Sequence, residues 1–186
     1  MNTCHRSTIQ IPYRAQSNLN GWRSLGTGVI SIVSVPLATI HLVTPATAIL
    51  LDNLDEDVFD HPVNPALLLE YLSNPSNVLL VATMEGQVVG MATGIAYVHP
   101  DKPRSLFVNE VGVSSRHHRR GIGTQLVSAI LAWGKSQGCV EAWVATEIGN
   151  AAARSLYRSS GGLEDDQHAI VYTFPLADGP ETENDA

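Results

Sequence analysis

The amino-acid sequence predicts an α/β fold built on a mixed β-sheet. Three alternating, β-branched segments follow one another between residues 78 and 113, which is typical of an antiparallel meander. From residue 121 to residue 176 the predicted order is helix, strand, helix, strand, which is typical of helices packed on a sheet. The 186 residues are 44% hydrophobic and 16% charged, which fits one globular domain with a sizeable core.

Cap signals define the first predicted elements. Residues 38–43 form a predicted strand, and Thr44-Pro45 then has the pattern of an N-cap and a first-turn proline in a helix that ends near Leu54. Asn64-Pro65 repeats that signal before a second helix, which Ser73-Asn74-Pro75 ends. The loop between the two helices is acidic and contains Asp52, Asp55, Glu56, Asp57 and Asp60.

Turn and glycine signals define the meander. Its three predicted strands are residues 78–84, 88–98 and 106–113. A hairpin turn at Glu85-Gly86-Gln87 joins the first two strands, and a loop over residues 99–103 precedes the third. Gly90 and Gly94 inside the second strand predict a β-bulge or the close approach of another backbone.

An amphipathic helix is predicted from about Gly121 to Gln137, and Gly138 follows it at the position where a helix-ending glycine is common. Its apolar face contains Ile122, Leu126, Val127, Ile130 and Leu131. The remaining predicted elements are a strand over residues 140–146, a helix from Asn150 to Ser159 and a last strand over residues 169–176.

Periodicity and composition along the sequence indicate the expected domain boundaries. Residues 1–36 show no clean periodicity and predict a flexible N-terminal extension. The folded domain is expected over residues 37–176. Residues 177–186 form an acidic, proline-containing C-terminal tail that is expected to be disordered.

The charge pattern limits the classes of partner. A net charge of −7 argues against nucleic acid or an anionic membrane as the main partner and favours a cationic substrate. No apolar run reaches the roughly 18 residues that would cross a bilayer, and no signal peptide is predicted. Cys4 and Cys139 form neither a disulfide framework nor a metal-binding spacing, so the sequence predicts a cytoplasmic protein without a metal site.

The most informative segment is the strand, turn and helix start over residues 108–123. A strand that enters a helix through a glycine-rich turn directs several backbone N–H groups and the positive end of the helix dipole at one point. Arg119 and Arg120 add positive charge there, while Gly121 and Gly123 leave out side chains that would block a close approach. The segment therefore predicts a binding site for a diphosphate.

The turn His118-Arg119-Arg120-Gly121-Ile122-Gly123 resembles the Gln/Arg-x-x-Gly-x-Gly/Ala signature of the GCN5-related N-acetyltransferases, the GNAT superfamily. The strand Glu110-Val111-Gly112-Val113 and the later Asn150-x-x-Ala153-x-x-Leu156-Tyr157 are also similar to family segments, whereas His118 stands where the family prefers Gln or Arg. The resemblance implies the GNAT fold, a mixed and mostly antiparallel sheet with helices on both faces. It also implies acetyl-coenzyme A as the co-substrate and no metal.

A narrower resemblance covers residues 38–176. Segments such as Phe59-Asp60-x-Pro62, His99-Pro100-Asp101-Lys102-Pro103 and Glu141-Ala142-Trp143-Val144-Ala145-Thr146 are similar to the type I aminoglycoside 3-N-acetyltransferases and their relatives. This resemblance implies that the acceptor is the 3-amino group of an aminoglycoside and that the protein gives antibiotic resistance. The residues expected to contact the coenzyme are Val111, Gly112, Val113, His118, Arg119, Arg120, Gly121, Ile122, Gly123, Thr124, Asn150, Ala153 and Tyr157.

Glu110 is the candidate general base. Amines are mostly protonated at neutral pH, and a carboxylate near the acceptor can take the proton directly or through a water. Alternation along the strand is expected to place Glu110 on the same face as Val108, while the three residues that follow Glu110 offer backbone groups to the pantetheine arm. The alternative is a solvated glutamate or an ion-pair partner.

Tyr157 is the candidate general acid, because its phenol can give a proton or a hydrogen bond to the departing thiolate. The alternative is a core tyrosine on the face of Ala153 and Leu156. Asn150 is either the N-cap of its helix or a coenzyme contact. Neither cysteine has a histidine at a suitable spacing, so direct transfer in a ternary complex is favoured over an acetyl-enzyme.

The acceptor site is expected to be acidic, so that it attracts a small molecule with several ammonium groups. The side chains predicted to bind the acceptor are Asp55, Asp57, Asp60, Glu110 and Asp165. The alternative for the acidic segments is a solvated surface. Rival functions are acetylation of a polyamine or a protein amine, and a sensor that binds acyl-coenzyme A without turnover. The oligomeric state stays open, with a homodimer among the options.

Overall fold

The computed structural model describes residues 38–165 and 169–176. Within these residues there are five strands, β1 (Thr39–Leu42), β2 (Asn77–Met84), β3 (Gln87–His99), β4 (Lys102–Val113) and β5 (Glu141–Trp143). The same residues form three α-helices, α1 (Pro65–Ser73), α2 (Ile122–Ser136) and α3 (Ala151–Ser159). The predicted extension over residues 1–36 and the predicted tail over residues 177–186 lie outside the described residues.

The strands form one sheet in the order β1-β2-β3-β4-β5. Every neighbouring pair is antiparallel except β4 and β5, which are parallel, and this confirms the predicted mixed and mostly antiparallel sheet. β2 and β3 are joined by Glu85 and Gly86, whose φ angles of 51° and 82° are those of a two-residue type I′ turn. Gln87 already pairs with Met84, so the turn is one residue shorter than predicted.

Asparagine side chains cap two of the helices as the sequence predicts. The Asn64 side chain accepts hydrogen bonds from the N–H groups of Ala66 and Leu67 at 2.9 and 3.3 Å, and Pro65 occupies the first position of α1. The Asn150 side chain accepts from the N–H of Ala153 at 3.0 Å. Of the two roles predicted for Asn150, the structure therefore shows the cap.

Two buried clusters cover the two faces of the sheet. On one face, α2 packs Ile122, Leu126 and Ile130 against strand residues that include Leu106 and Val108. On the opposite face, α1 and the loop before it pack on the strands; that cluster contains Leu68, Tyr71, Leu79, Val81, Val88 and Met91. The helices therefore lie on both faces, as predicted. Leu131 was expected on the buried face of α2 but is 37% exposed, because it lies at the edge of that apolar stripe.

Gly90 and Gly94 mark close approaches between β3 and β4. A Cβ atom at Gly90 would lie 2.9 Å from the carbonyl oxygen of Gly112, and one at Gly94 would lie 2.9 Å from that of Phe107. The pairing of β3 with β4 also shifts between Thr93 and Gly94. The sequence predicted a bulge or close packing at these glycines; close packing is present at both of them, and a bulge lies beside Gly94.

The predicted helix after Pro45 is wrong in type and length. The structure has a five-residue 3₁₀ helix, Ala48–Asp52, instead. The Thr47 hydroxyl accepts from the N–H of Thr44 at 2.9 Å and lies 3.2 Å from the carbonyl of Leu42, to which it donates. These side-chain bonds stabilise a turn where the α-helix would begin.

The last two predicted strands also differ from the structure. The strand predicted over residues 140–146 is limited to the three residues of β5, because only these pair with β4. Residues 169–176 alternate like a strand but form none within the described part of the chain. Val171 and Tyr172 are 86% and 75% exposed. An apolar alternation becomes a strand only where a hydrogen-bonded neighbour covers it.

No helix in residues 38–165 and 169–176 is both long and apolar enough to cross a membrane. Within the same residues, no group of three or more histidine, cysteine or acidic side chains could hold a metal ion.

Replacing Gly94 with Ala should lower the free energy of unfolding by about 1–3 kcal/mol, the usual cost of forcing an extra carbon into a packed core. The reason is the 2.9 Å approach to the Phe107 carbonyl, together with Ile130 at 3.1 Å. Gly149→Ala is the matched control, because nothing lies within 4 Å of its Cβ position. Urea denaturation of both variants checks this, and equal midpoints would contradict the close approach.

Candidate active site

The alternation of side chains along β4 is reversed in the middle of the strand, at Asn109. Glu110 pairs with Thr93 and Val108 pairs with Gly94, so Asn109 is an extra residue in β4 without a partner on β3. A bulge of this kind reverses the side-chain alternation beyond it. Val108 consequently belongs to the buried cluster under α2, whereas Glu110 lines a cavity on the α1 face. The prediction that Glu110 and Val108 share a face is therefore wrong.

β5 pairs with β4 only along the first half of β4. β5 pairs with Ser105, Leu106 and Phe107, and its pairing ends there. Val111, Gly112 and Val113 continue beyond this point, and in the described part of the chain they pair only with β3 on their other edge. Their backbone groups are therefore placed to pair with an extended ligand as a further strand would.

The turn between β4 and α2 has the backbone of an anion site. Arg119 and Gly121 have φ angles of 60° and 78°, and Gly121 is the N-cap of α2 without a side-chain hydrogen bond to its first turn. Nothing lies within 4 Å of a Cβ at Gly121, so a ligand can approach the first N–H groups of the helix there. His118 closes the turn, with its Nε2 atom 2.8 Å from the carbonyl oxygen of Val113.

The other predicted contacts of this turn divide into exposed and packed residues. Thr124 and Arg120 are exposed, whereas the Ile122 side chain is 2% exposed and leaves only its backbone for a ligand. A Cβ at Gly123 would lie 3.2 Å from the side chain of Leu156. The absence of a side chain at Gly123 therefore also lets α3 pack on α2.

Asp55 joins the acidic loop to this turn. Its side chain is 1% exposed, accepts a 2.7 Å hydrogen bond from the Ser114 hydroxyl and forms an ion pair with Arg116. His117 Nε2 lies 3.4 Å from the same carboxylate. The Ser114 hydrogen bond, followed by the charge of Arg116, lowers the pKa of Asp55. Asp57 accepts a 3.2 Å hydrogen bond from the Ser115 N–H.

Asp55 and Asp57 were predicted to bind the acceptor, but in the structure they are bonded to the segment before the glycine-rich turn. A carboxylate that is buried and held by Ser114 and Arg116 is not available to a substrate ammonium. Asp57 is exposed but is hydrogen-bonded to the segment that leads into the turn. Both residues thus hold the segment over residues 114–116, which leads into the glycine-rich turn.

Glu110 lies in a cavity of about 370 Å³ between the end of the acidic loop, α1 and the sheet. Its lining residues are Phe59, Asp60, His61, Pro62, Val63, Asn64, Leu67, Leu68, Tyr71, Leu79, Thr93 and Glu110. Burial raises the pKa of Glu110, and the negative charge of Asp60 raises it further. A carboxyl with a raised pKa is a stronger base once it is ionised, which suits proton abstraction.

Five side chains were predicted to bind the acceptor, and the structure brings two of them together. Glu110 and Asp60 share the cavity. Asp165 is exposed and does not line the cavity. Sequence reasoning did not identify Tyr71 and Thr93, which also line the cavity. Thr93 could have been identified as the residue that pairs with Glu110 in the meander. The bulge that sets this pairing could not be located from the sequence.

A second cavity, of about 460 Å³, lies beside the turn and is lined by Asn53, Met84, Glu85, Gln87, His117 and Arg120. Glu110, the candidate base, is not among the residues that line it.

Tyr157 lies on α3. Burial raises the pKa of its phenol, which keeps it protonated and able to donate. Its hydroxyl makes no hydrogen bond to the part of the chain that the structure describes. Ala153 lies one turn earlier on the same helix and is half-buried.

Comparison with known proteins identifies the family. The model of the acetyltransferase (GNAT) family matches residues 47–161, which is more than half of the chain. The chain belongs to the GNAT family. It is 34% identical over 125 residues to N-alpha-acetyltransferase RimI of Mycobacterium tuberculosis, a match that covers 66% of this chain and 77% of that protein.

A mouse relative, N-acetyltransferase family 8 member 3, is 30% identical over 111 residues. The match covers 59% of this chain and 49% of that protein, so the chain spans about half the length of this relative.

Solved structures with the same fold include an aminoglycoside acetyltransferase from an uncultured soil metagenomic sample, in complex with sisomicin. Its TM-score is 0.62 at 20% identity, and the match covers 75% of this chain and 97% of that one. AAC(6')-Iy in complex with a bisubstrate analog has a TM-score of 0.62 at 21% identity, over 74% and 98% of the two chains. At these identities the likeness shows the GNAT fold and no substrate.

Replacing Asp55 with Asn should weaken coenzyme A binding by about tenfold, or about 1.4 kcal/mol, because the turn loses its anchor. Stability should also fall, by about 1–3 kcal/mol at neutral pH, since the buried Ser114 hydroxyl and the Arg116 guanidinium lose a charged acceptor. The pKa of Asp55 is lowered in the fold, so this stability difference should shrink as the pH falls below the ordinary value of 3.8.

Calorimetric titration with coenzyme A and urea denaturation at several pH values measure these effects. Asp52→Asn is the control, because Asp52 is exposed at the end of the preceding 3₁₀ helix and forms no ion pair with the residues that the structure describes. Unchanged coenzyme affinity in Asp55→Asn would show that the turn does not depend on this carboxylate.

Replacing Asp60 with Asn should lower the pKa of Glu110, since it removes the neighbouring negative charge. The pKa should stay above its ordinary value, because burial is the larger cause. Carbon-13 NMR titration of glutamate-labelled protein measures this, with the Glu110 signal assigned by its loss in Glu110→Gln. An unaltered midpoint would mean that the two carboxyl groups do not interact.

Proposed function

We propose that this chain transfers the acetyl group of acetyl-coenzyme A to a primary amine by direct attack in a ternary complex. The observation that carries the proposal is the position of Glu110. Its half-buried carboxyl, with a raised pKa, lines a cavity on the strand whose free edge and following turn fit the coenzyme. A base and a diphosphate site on one strand are what acetyl transfer to a protonated amine requires.

The residues of the coenzyme site would act mainly through their backbone. Val111, Gly112 and Val113 would pair with the pantetheine arm, and the first N–H groups of α2 would bind the diphosphate, with Arg119 and Arg120 adding charge. Acetyl-coenzyme A, when bound, supplies the reactive thioester. A solved neighbour, AAC(6')-Iy, was obtained in complex with coenzyme A, which supports this assignment.

Proton transfer would be divided between two side chains. Glu110 takes the proton of the acceptor ammonium, directly or through a water, so that the free amine attacks the carbonyl carbon. The protonated phenol of Tyr157 donates to the departing sulfur. Burial raises the pKa of the Cys139 thiol, which disfavours a thiolate nucleophile there and supports direct transfer.

The finer proposal for the acceptor is the 3-amino group of an aminoglycoside. It rests on the sequence resemblance, and structural neighbours in complex with sisomicin or with an acetylneamine-based analog support the aminoglycoside class. Those neighbours include a 6'-acetyltransferase by name, so both positions are to be tested. Glu110 and Asp60 would bind the reacting ammonium.

A second candidate acceptor is the N-terminal amine of a polypeptide. The observation that favours it is the 34% identity to an N-alpha-acetyltransferase over 77% of that protein's length. A sensor that binds acyl-coenzyme A without turnover would need neither a base nor an acid, and the placement of Glu110 and Tyr157 argues against it.

Glu110→Gln should lower turnover by about 10²-fold, the usual loss for a general base, while coenzyme A affinity stays unchanged. The loss should shrink as the pH rises towards the pKa of the acceptor amine, because the free amine then needs no base. Thiol release measured with aminoglycosides, polyamines and peptides checks both points. Glu141→Gln is the control, since Glu141 is exposed on β5.

Parental rates in Glu110→Gln at neutral pH would remove Glu110 from the mechanism. Coenzyme binding without thiol release for every amine would favour the sensor. Release with an aminoglycoside that lacks its 3-amino group would reject the 3-amino position.

A further inference from the structure

The cavity around Glu110 has an acidic end and an apolar wall. Glu110 and Asp60 form the acidic end. The wall is made by Phe59 and by residues on one side of α1, which include Leu67, Leu68 and Tyr71. At about 370 Å³, the cavity is near the lower end of the range for sites that hold drug-sized ligands.

Tyr71 contributes only its ring to this wall. Its hydroxyl is 2.9 Å from the carbonyl oxygen of Val78 and 3.3 Å from that of Gly94, so its one O–H donor is used within the protein. Leu67 lies at the rim and is 63% exposed. An exposed leucine beside a half-buried aromatic ring gains free energy when an apolar ligand group covers it.

The charges of the cavity suit one ammonium group rather than several. Asp55 and Asp57 are bound to the turn, so the acidic loop contributes only Asp60 to the lining. Glu110 is needed to accept a proton, which leaves Asp60 as the anionic anchor. His61 also lines the cavity and adds no negative charge. A polycation would have ammonium groups against the apolar wall, where they lose hydration without a partner.

We propose that the acceptor is a primary amine attached to an apolar aliphatic or aromatic group and carrying a single positive charge. This inference rests on the proposed acetyl transfer and names its substrate class. It replaces the aminoglycoside acceptor, since an aminoglycoside carries several ammonium groups and no apolar group. The ammonium lies against Asp60 and Glu110, and the apolar group covers Leu67, Leu68 and the ring of Tyr71. In the reaction the N–C bond forms as the C–S bond breaks, the ammonium proton passes to Glu110, and Tyr157 protonates the sulfur.

A small amine and a peptide with an apolar first residue present the same chemistry. The test therefore compares kcat/KM for 2-phenylethylamine, a tripeptide that begins with phenylalanine, ethylamine, spermidine and kanamycin. We expect one of the two phenyl-bearing amines to exceed ethylamine and both polycations by at least about tenfold, the range for an apolar group in a fitted pocket. The larger of the two values identifies the source.

Leu67 and Leu69 provide a matched pair of variants. They are 63% and 62% exposed on the same helix, but only Leu67 lines the cavity, so neither change should disturb folding. Leu67→Ser should raise KM for the preferred phenyl-bearing amine by about fivefold to tenfold with little change in kcat. Leu69→Ser should leave both constants unchanged, and ethylamine should not distinguish the two variants.

Two results would overturn the inference while the transferase function stands: a higher kcat/KM for spermidine or kanamycin than for either phenyl-bearing amine, or equal kinetics in Leu67→Ser and Leu69→Ser. Absence of thiol release with all five amines, in protein that binds coenzyme A, would instead overturn the proposed function.

Discussion

The bulge at Asn109 in β4 is the constraint on which the candidate site depends. Before it, β4 presents Val108 to the core under α2; beyond it, Glu110 points to the opposite face. If Asn109 were paired regularly instead of forming a bulge, strict alternation would put the Glu110 carboxylate on the face of Val108, in an apolar core where its desolvation would be costly. The same strand loses its pairing with β5 after Phe107, so among the described residues nothing pairs with that edge of its second half, beside the glycine-rich turn. One strand thus carries the candidate base on its face, the candidate pairing edge at its side and the candidate diphosphate turn at its end.

The loop before α1 connects the two halves of this site. Asp55 and Asp57 bond to residues 114–116, directly before the turn, and a few residues later the same loop supplies Phe59 and Asp60 to the cavity. Gly112 lets this loop approach β4, since a Cβ there would lie 3.0 Å from the carbonyl oxygen of Val58. Displacement of the loop would therefore affect the coenzyme turn and the acceptor cavity together. This shared support gives a physical route for coupling between the two substrates.

The chain has a net charge of −7, but positive and negative side chains lie in different places around β4. Arg116 is paired with Asp55 and also lies 3.7 Å from Glu56, so the positive charge left at the turn is that of Arg119 and Arg120. On the other side of β4, burial and Asp60 act on Glu110 and raise its pKa. The acidic loop thus acts at two places: its first part is bonded to the segment before the glycine-rich turn, and Asp60 in its last part raises the pKa of Glu110.

The sequence by itself determined what depends on near neighbours in the chain. The cap at Asn64, the hairpin turn that contains Glu85-Gly86, the meander and the glycine-rich start of α2 are local patterns, and each is present in the structure. The position of Glu110, a carboxylate near the turn, was also evident from the sequence.

Pairing and packing between distant segments decided the rest. The face of Glu110 depends on a register shift against β3, and the burial of Asp55 depends on Ser114, 59 residues away. The alternation over residues 169–176 did not become a strand, since no described neighbour pairs with it. Register and burial depend on which segments pair in the folded protein, and the local sequence around one residue does not specify that pairing.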